Sequence, residues 1–385
     1  MNHHPNPWHR ESRTLTRRSV LGAAGLAAVA AAVPPTLGAH AAPRPTSSSV
    51  DRMIDEQADF ILSKRLPSGA LLAPNDTTIT PYFVSWGLMG LAQVSDPQIP
   101  ATLANYLQWY LDHLNTAEQD PYGIPGTVFV YDYDPATGAE SSTDAHSSVD
   151  AGVSTPIMLA HASRGVSADL RALVLDNIEQ WELMMQANLT APPHGVLDEG
   201  LCMARPEGVK YVQDNSVVYR GLHCLADLEE ELGRHRPATS YRAAARRLRA
   251  QMCTILWNPT RQNWNWGMLG SKPSESDLTR GFYPYAWCQY WQVYLGVVTP
   301  DDPRAQVTWN AHCEAYPQWM DNEIDNDFPH SEMAYSAALM GDGADVLRFF
   351  DALRERYGTG WRDNWYVGEA GHVLRAAAAL RDSVA

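Results

Sequence analysis

Several common signatures are absent from this 385-residue chain, and each absence argues against a class of protein. No Gly-rich phosphate loop, GxSxG elbow or dinucleotide fingerprint occurs, which weakens kinase, serine hydrolase and dehydrogenase functions. The five cysteines are dispersed and form no CxxC pair, so buried free thiols are the simpler expectation than a disulfide framework. Because HExxH and Cys/His zinc spacings are also lacking, we expect no metal and no cofactor.

Basic residues are few as well. Lys and Arg number 29 against 44 Asp and Glu, which gives a formal net charge of −15. The acids are spread along the chain, so nucleic acid and anionic membrane are poor partners, and a neutral or cationic ligand is easier to accommodate. Beyond the N-terminal segment, no apolar run reaches the length of about 18 residues that a membrane helix needs.

The N-terminal segment resembles an export signal. Adjacent Arg17 and Arg18 precede an Ala/Gly/Val run from residue 21 to 33, and Ala39-His40-Ala41 is a small-residue cleavage site. The paired arginines favour the twin-arginine route, with an ordinary secretory signal as the alternative. We therefore expect residues 1–41 to be an export signal, 42–50 a disordered linker and 51–385 one domain of a secreted, extracellular monomer.

Apolar residues recur at helical spacing almost throughout the rest of the chain. Leu103, Leu107 and Leu111 lie on one face of a predicted helix, and Leu170 and Val174 begin another after the N-cap Ser167. About twelve such segments follow one another. The chain is therefore predicted to be all-α.

Short and long connections alternate between these helices. The short links are rich in Gly, Pro and Ser, whereas the long ones hold most polar and aromatic candidates. Consecutive antiparallel helix pairs would place all the short turns at one end, and six pairs would close into an (α/α)6 toroid. We expect its inner helices to begin near Thr80, Thr143, Asp214, Phe282, Pro329 and Tyr366. An open solenoid or two bundles are the alternatives.

Carboxylates lie near two of these predicted helix starts. Asp144 would lie in the first turn of one inner helix with Asp150 deeper in it, and Asp214 would open the next inner helix. Two carboxylates that face one cavity, one protonated and one ionised, are what glycoside cleavage requires. Capping of the helix is the simpler alternative for Asp144. The catalytic candidates are Asp144, Asp214 and Asp150.

Aromatic residues are concentrated in the long connections, and thirteen tryptophans occur in all. Trp and Tyr can stack on sugar rings while their polar edge stays hydrated, although packing beneath loops would explain many of them. The substrate-binding candidates are Tyr131, His146, Trp264, Trp266, Tyr219 and Trp365. Asp132 and Asp134 could hold calcium, but the segment from Tyr133 to Gly138 is more simply a hairpin turn.

Three segments resemble those of the six-hairpin, or (α/α)6-barrel, glycosidases of the secreted actinobacterial type. They begin at Pro81 (PYFVSWGLMGL), Ser141 (SSTDAHSSV) and Asp214 (DNSVVYRGL). The second is similar to a DSTDAYAAT helix start in that group, with Ser141 and His146 in place of Asp and Tyr. The resemblance implies an (α/α)6 barrel and favours Asp144 over Asp150, and the third segment nominates Asp214.

The fold also supports lyases, isomerases and epimerases, so the reaction needs its own evidence. A glycoside hydrolase with Asp144 and Asp214 as its carboxylate pair is the first hypothesis. The second is a lyase on a uronic-acid polymer, in which His146 or Tyr219 takes the proton. Arg205, Lys210 or Arg280 would then balance the substrate carboxylate. The third is a carbohydrate-binding protein without catalysis.

Overall fold

Helices form most of the molecule. The computed structural model describes residues 47–324, 328–358, 360–361 and 364–384. In chain order the α-helices of this part are α1 (Ser47–Ser63), α2 (Pro81–Leu91), α3 (Ile99–Asp112), α4 (Asp150–Ser163), α5 (Ala168–Asp176), α6 (Ile178–Leu189), α7 (Val212–Glu231), α8 (His235–Gln251), α9 (Trp291–Tyr294), α10 (Pro303–Ala315), α11 (Glu332–Met340), α12 (Gly343–Tyr357) and α13 (Val367–Val384).

Six of these helices form a closed inner ring. Helix α2 packs against α4, α4 against α7, α7 against α9, α9 against α11, α11 against α13, and α13 returns to α2. Gly90 of α2 lies against Gly371 of α13, and a Cβ atom at Gly371 would lie 2.3 Å from the Trp86 carbonyl oxygen. The ring confirms the predicted (α/α)6 toroid and excludes the open solenoid and the two bundles.

The two layers differ as their surroundings require. The inner helix α2 is buried at nearly every position, because it contacts both neighbouring inner helices and the outer layer. The outer helix α8 buries Tyr241, Ala245 and Leu248 on one face and leaves Arg246 and Arg247 at the exposed side. One apolar stripe is enough to attach an outer helix to the ring.

The long connections carry short strands at one end of the ring. They are β1 (Thr78–Ile79), β2 (Tyr131–Asp134), β3 (Ala139–Ser142), β4 (Leu197–Asp198), β5 (Leu201–Cys202), β6 (Lys210–Tyr211), β7 (Trp257–Asn258), β8 (Asn263–Trp264), β9 (Gly267–Leu269) and β10 (Lys272–Ser274). Strand β2 lies between β1 and β3, and β9 lies between β10 and β6. The β2–β3 pairing, with Tyr131 opposite Ser142, confirms the predicted hairpin turn.

Three predicted details of the elements are wrong. Helix α4 begins at Asp150 rather than near Thr143, because the Thr143 and Val130 backbones continue the β2–β3 ladder and keep the chain extended. Residues 47–50, expected in the linker, form the first turn of α1. The fourth inner element is broken between Phe282 and Gln289, because Pro284 has no backbone N–H to donate within a regular helix. Only α9, which follows this segment, is a regular α-helix.

The predicted export signal and residues 42–46 lie outside the described residues. Within the described part, no helix is both long and apolar enough to cross a membrane. All five cysteines are free; Cys202, Cys224 and Cys288 are buried, which agrees with the expected buried thiols, and Cys253 and Cys313 are half-buried.

Candidate active site

Four inner helices present a carboxylate at their N-terminal ends. Asp150 is the first residue of α4, Asp214 the third of α7, Glu332 the first of α11 and Glu369 the third of α13. Since every inner helix begins at the long-connection end of the ring, these groups share that end. Their exposed fractions are only 0% to 7%, so all four are nearly shielded from bulk water.

Asp150 and Asp214 form one half of this cluster. Burial raises the pKa of Asp150 to about 7, although its carboxylate accepts the backbone N–H of Ala151 at 2.7 Å. Burial and the charge of Asp150 raise the pKa of Asp214 well above its ordinary value. Two acids at close range in a site of low polarity cannot both ionise at neutral pH, so this half holds a proton.

Glu332 lies in the other half and stays ionised. Its Oε1 atom accepts hydrogen bonds from Trp287 Nε1 at 2.6 Å and from the Tyr290 hydroxyl at 3.1 Å, and lies 3.1 Å from His330 Nδ1. Burial opposes the charge, but the charge and hydrogen bond of His330, together with the charge of His372, lower the pKa of Glu332 to about 2. Donors that favour the charged form outweigh desolvation here.

Glu369 is the neighbour of Glu332 and behaves differently. Its Oε2 atom accepts the backbone N–H of Ser331 at 2.6 Å. Burial and the negative charge of Glu332 raise the pKa of Glu369 to about 7. The two carboxylates of this half therefore differ in protonation over a broad range of pH.

Tyr82 connects the two halves. Its hydroxyl accepts a hydrogen bond from Gln213 Nε2 at 2.7 Å. Burial and the charges of Asp214 and Glu332 raise the pKa of Tyr82, which shows that both carboxylates act on the same hydroxyl. The buried Tyr82 hydroxyl therefore lies within electrostatic reach of both a protonated acid and an ionised carboxylate.

An aromatic wall borders Asp214, and we use this name for Tyr211, Trp266, Tyr283 and Trp287. The ring centroids of Tyr211 and Trp266 are 5.8 Å apart, and those of Tyr283 and Trp287 are 5.2 Å apart. Burial raises the pKa of Tyr283, and the charges of Tyr211 and Asp214 raise it further, so the two ring pairs lie near each other and near the acid. All four side chains remain partly exposed, as stacking on a ligand requires.

The predicted residues fall at different places. Asp150 and Asp214 meet in the cluster. Asp144 does not lie on an inner helix, which corrects the expected placement: it has a φ of 55° in the exposed segment after β3, and its Oδ1 accepts the Ser142 hydroxyl at 2.8 Å. Its catalytic role stays a prediction.

His146 and Tyr131 serve the loops around the ring. His146 Nε2 lies 2.8 Å from Asp120 Oδ2, its ring stacks on Phe129, and only 5% of the side chain is exposed. This enclosed contact with Asp120 leaves little of the ring for a substrate. Half-buried Tyr131 packs edge-on against Trp109 and His113 in the β2–β3 region. Its role as a stacking platform stays a prediction.

Two predicted platforms are buried and cannot stack on a sugar as the structure stands. Trp264 is 0% exposed because β8 packs it beside Trp257, while the Gln289 side chain bonds its backbone. Trp365 is 3% exposed, and its Nε1 donates to Gln57 of the outer helix α1. Of the predicted tryptophan platforms, Trp266 is the one on the aromatic wall.

Tyr219 is directed away from the cluster. Its pKa is raised by burial, and the charged groups acting on it are Arg249, Arg220 and Cys253, near the outer helix α8. Its position two turns into α7 explains this, because the 3.6-residue period directs it away from Asp214. Its expected role in substrate binding, or as a lyase base, stays a prediction.

The structure also limits the basic residues that a lyase would use. Lys210 is 1% exposed, and its Nζ lies 2.6 Å from Asp198 Oδ2, so its charge is already compensated. Burial raises the pKa of Tyr211 and the charge of Arg205 lowers it, so Arg205 lies near Tyr211. The Arg280 guanidinium lies over the Tyr285 ring, 5.3 Å from its centroid. In the described part of the chain, no group of three or more His, Cys, Asp and Glu side chains could hold a metal ion.

Glu332, Glu369 and the Tyr82 bridge escaped the sequence analysis, as did Tyr211 and Trp287. The helix starts near Pro329 and Tyr366 were predicted, and each of those helices carries an acid in its first turn. An acid in the first turn of an inner helix, the signal that nominated Asp214, also marks both glutamates.

Comparison with known proteins gives matches by structure. No protein-family model and no curated protein sequence matches the chain. A glycosidase variant in complex with glucose shares 13% identity, covers 87% of this chain and 98% of its own, and superposes with a TM-score of 0.57.

Two further solved structures are similar to the chain at comparable TM-scores. A GH63 mannosylglycerate hydrolase from Thermus thermophilus in complex with glucose shares 12% identity at a TM-score of 0.56, covering 86% of this chain and 98% of its own. A reducing end xylose-releasing exo-oligoxylanase shares 13% at 0.54, covering 88% and 92%. At these identities the likeness concerns the fold. The chain has the (α/α)6-barrel fold of the six-hairpin glycosidases.

Proposed function

We propose that the protein is a glycoside hydrolase whose proton donor is Asp214 and whose general base or nucleophile is Glu369. The observation that supports this most directly is the divergence of pKa among carboxylates at one end of the ring. Glycoside cleavage needs one acid that is protonated at the working pH and one carboxylate that is ionised. Environments that push such pKa values apart mark the acid and base roles.

Each role follows from the surroundings of its carboxyl group. Asp214 holds its proton through burial beside Asp150 and retains 7% exposure, the largest among the four acids, so it can reach a leaving oxygen. Glu369, with a pKa of about 7, is close to the operating pH that suits a general base. Glu332 stays charged and is held by three partners, so it is a weak base that stabilises positive charge on the sugar ring.

The substrate that fits is a small glycoside or the terminal sugar of a chain. All four carboxylates have exposed fractions of 7% or less, and the end of a chain can approach such buried groups more readily than the middle of a polymer. The aromatic wall beside Asp214 would stack on the sugar or aglycone that leaves. The matched oligoxylanase and mannosylglycerate hydrolase are both named for substrates of this size.

The deciding experiment is a screen of short oligosaccharides, aryl glycosides and polysaccharides. New reducing ends without ultraviolet absorbance would establish hydrolysis, whereas absorbance of unsaturated products would establish the lyase. Binding without any turnover would establish a binding protein and refute the proposal.

Asp214→Asn should then reduce kcat by about 10²–10⁴-fold, because the amide cannot donate the proton. The matched control is Asp169→Asn, which changes an exposed first-turn acid of the outer helix α5 and should leave turnover intact. Asp144→Asn tests the sequence-based assignment in the same assay. If Asp144→Asn lost turnover while Asp214→Asn stayed active, the proton donor would be Asp144 and not Asp214.

We further propose that the enzyme acts outside the cytoplasm, on the strength of the signal in residues 1–41. Conversion of both Arg17 and Arg18 to Lys should abolish export if the twin-arginine route is used. Cell fractionation with an antibody against the protein would show this. Unchanged export of the double variant would favour the ordinary secretory signal.

A further inference from the structure

A three-residue turn joins the two glutamates of the site. His330 and Ser331 immediately precede Glu332, the first residue of α11. His330 Nδ1 lies 3.1 Å from Glu332 Oε1, and the Ser331 N–H donates to Glu369 Oε2 at 2.6 Å. The same short segment therefore contacts carboxylates from two neighbouring inner helices.

His330 is held in an unusual backbone conformation. Its φ of 56° lies in the left-handed region, which only a few per cent of residues other than glycine adopt, Asn, Asp and His more often than the rest. The ring is buried, with 4% exposure for the residue, and packs against Phe282 at a centroid distance of 4.6 Å. Conformations of this kind persist where the surroundings enforce them, and they are concentrated at functional sites.

We propose that His330 is a positioning residue for catalysis, which holds the Glu332 carboxylate by direct contact and orients Glu369 through the Ser331 N–H. The inference rests on the proposed function, since it assigns roles to that site's glutamates. His330 acts through both glutamates and needs no contact with the substrate. A single turn thereby sets the spacing of the pair and the difference in their protonation.

The other ionisable groups around this turn do not replace His330. Glu369 and Tyr290 face Glu332, Tyr82 lies toward Asp214, and Tyr366 lies beside Glu369. His372 also acts on Glu332, but burial lowers the pKa of His372 to about 4, and its Nδ1 pairs with the Tyr294 hydroxyl at 2.6 Å. His312, which packs on Phe282 behind His330, is likewise lowered to a pKa of about 4.

Two substitutions of His330 separate positioning from packing. In His330→Phe the aromatic packing on Phe282 is kept and the hydrogen bond to Glu332 is lost. In His330→Asn a donor remains close to the place of Nδ1, and Asn tolerates the positive φ. The matched control is His146→Phe, which breaks a His–Asp pair of similar length and burial beside Phe129, at 2.8 Å against 3.1 Å.

The first readout is the pH profile of kcat/KM. We expect the acidic limb to move upward by about one pH unit or more in His330→Phe, because the imidazole charge that lowers the pKa of both Glu332 and Glu369 is lost. The shift should be smaller in His330→Asn and absent in His146→Phe. An unshifted limb in His330→Phe would show that the residue only packs, and would overturn the inference.

The second readout does not need turnover, so it separates this inference from the proposed function. A lowered pKa at Glu332 contributes stability above its unfolded pKa near 4, and this contribution is lost as pH falls toward 2. The difference in urea midpoint between wild type and His330→Phe should therefore shrink between pH 5 and pH 3. In a Glu332→Gln background the difference should not depend on pH. A pH-independent difference in both backgrounds would refute the contact.

Discussion

Closure of the ring depends on a contact between glycines, and Gly371→Ala tests it. A Cβ atom at position 371 would lie 2.3 Å from the Trp86 carbonyl oxygen and 2.5 Å from the Gly87 Cα atom. Both are backbone atoms of α2, so no side chain can rotate to make room. Helices α2 and α13 would have to move apart along their whole contact. The ring would then be open between its first and its last inner helix.

The magnitude follows from two opposing effects. Alanine in place of glycine within a helix stabilises by about 1 kcal/mol through propensity. An extra carbon in a tightly packed core costs about 1–3 kcal/mol, and rigid backbone neighbours favour the upper limit. The balance is a destabilisation of about 2 kcal/mol.

Urea denaturation followed by far-ultraviolet circular dichroism measures this balance. The matched control is Gly152→Ala in α4, where the added Cβ would approach nothing closer than Ser148 Oγ at 4.0 Å. This variant should be unchanged or more stable by up to about 1 kcal/mol. If Gly371→Ala were as stable as Gly152→Ala, the two helices would not be in contact and the closed ring would be refuted.

Other predictions concern the site and its surroundings. Trp264→Ala should lower the free energy of unfolding by about 3–5 kcal/mol because its ring is wholly buried, whereas Trp266→Ala should chiefly raise KM for the glycoside. A raised KM in Trp264→Ala together with a loss of stability in Trp266→Ala would contradict the assignment of Trp266 to the aromatic wall. Asp150→Asn should raise the melting temperature more at pH 8 than at pH 5. A native pKa near 7 means that the wild-type protein loses stability as pH rises from about 4 to 7, and the amide does not ionise. An equal gain at both pH values in calorimetry would count against this burial effect.

The architecture was predictable because its signals are local. Helical periodicity and N-caps such as Ser167, whose Oγ accepts the Leu170 N–H at 3.2 Å, depend on residues within a turn of each other. The alternation of link lengths then predicted both the ring and the end that carries the site. The first-turn acid Asp214 followed from the same reasoning.

Asp144 shows where local signals fail. A run of Ser, Thr and Asp can cap a helix or form a turn, because their side chains bond nearby backbone groups in both cases. The outcome was decided by strand β2, which pairs with residues 139–142 and keeps the chain extended beyond them. That partner is not visible in the segment itself.

Trp264 and Trp266 show the same limit for burial. They are two positions apart in one connection, yet one is enclosed and the other borders the site. The difference arises from Gln289, whose side chain bonds both the N–H and the carbonyl of Trp264 from 25 residues downstream. The positions of the aromatic residues in the sequence predicted that they are concentrated in these loops. The sequence could not assign each ring to the aromatic wall or to the core.

The contact between α2 and α13 also has a consequence for synthesis. Helix α2 ends at Leu91, and its partner begins at Val367, so the ribosome makes the two about 280 residues apart. At elongation rates of about 5–20 residues per second, the α2 glycines remain without their neighbour for about 15–55 seconds. For that interval the face of α2 that packs on α13 lacks its final partner, although α4 has already been made. The barrel therefore forms as a late event, and a chaperone that covers residues 81–91 would act during most of translation.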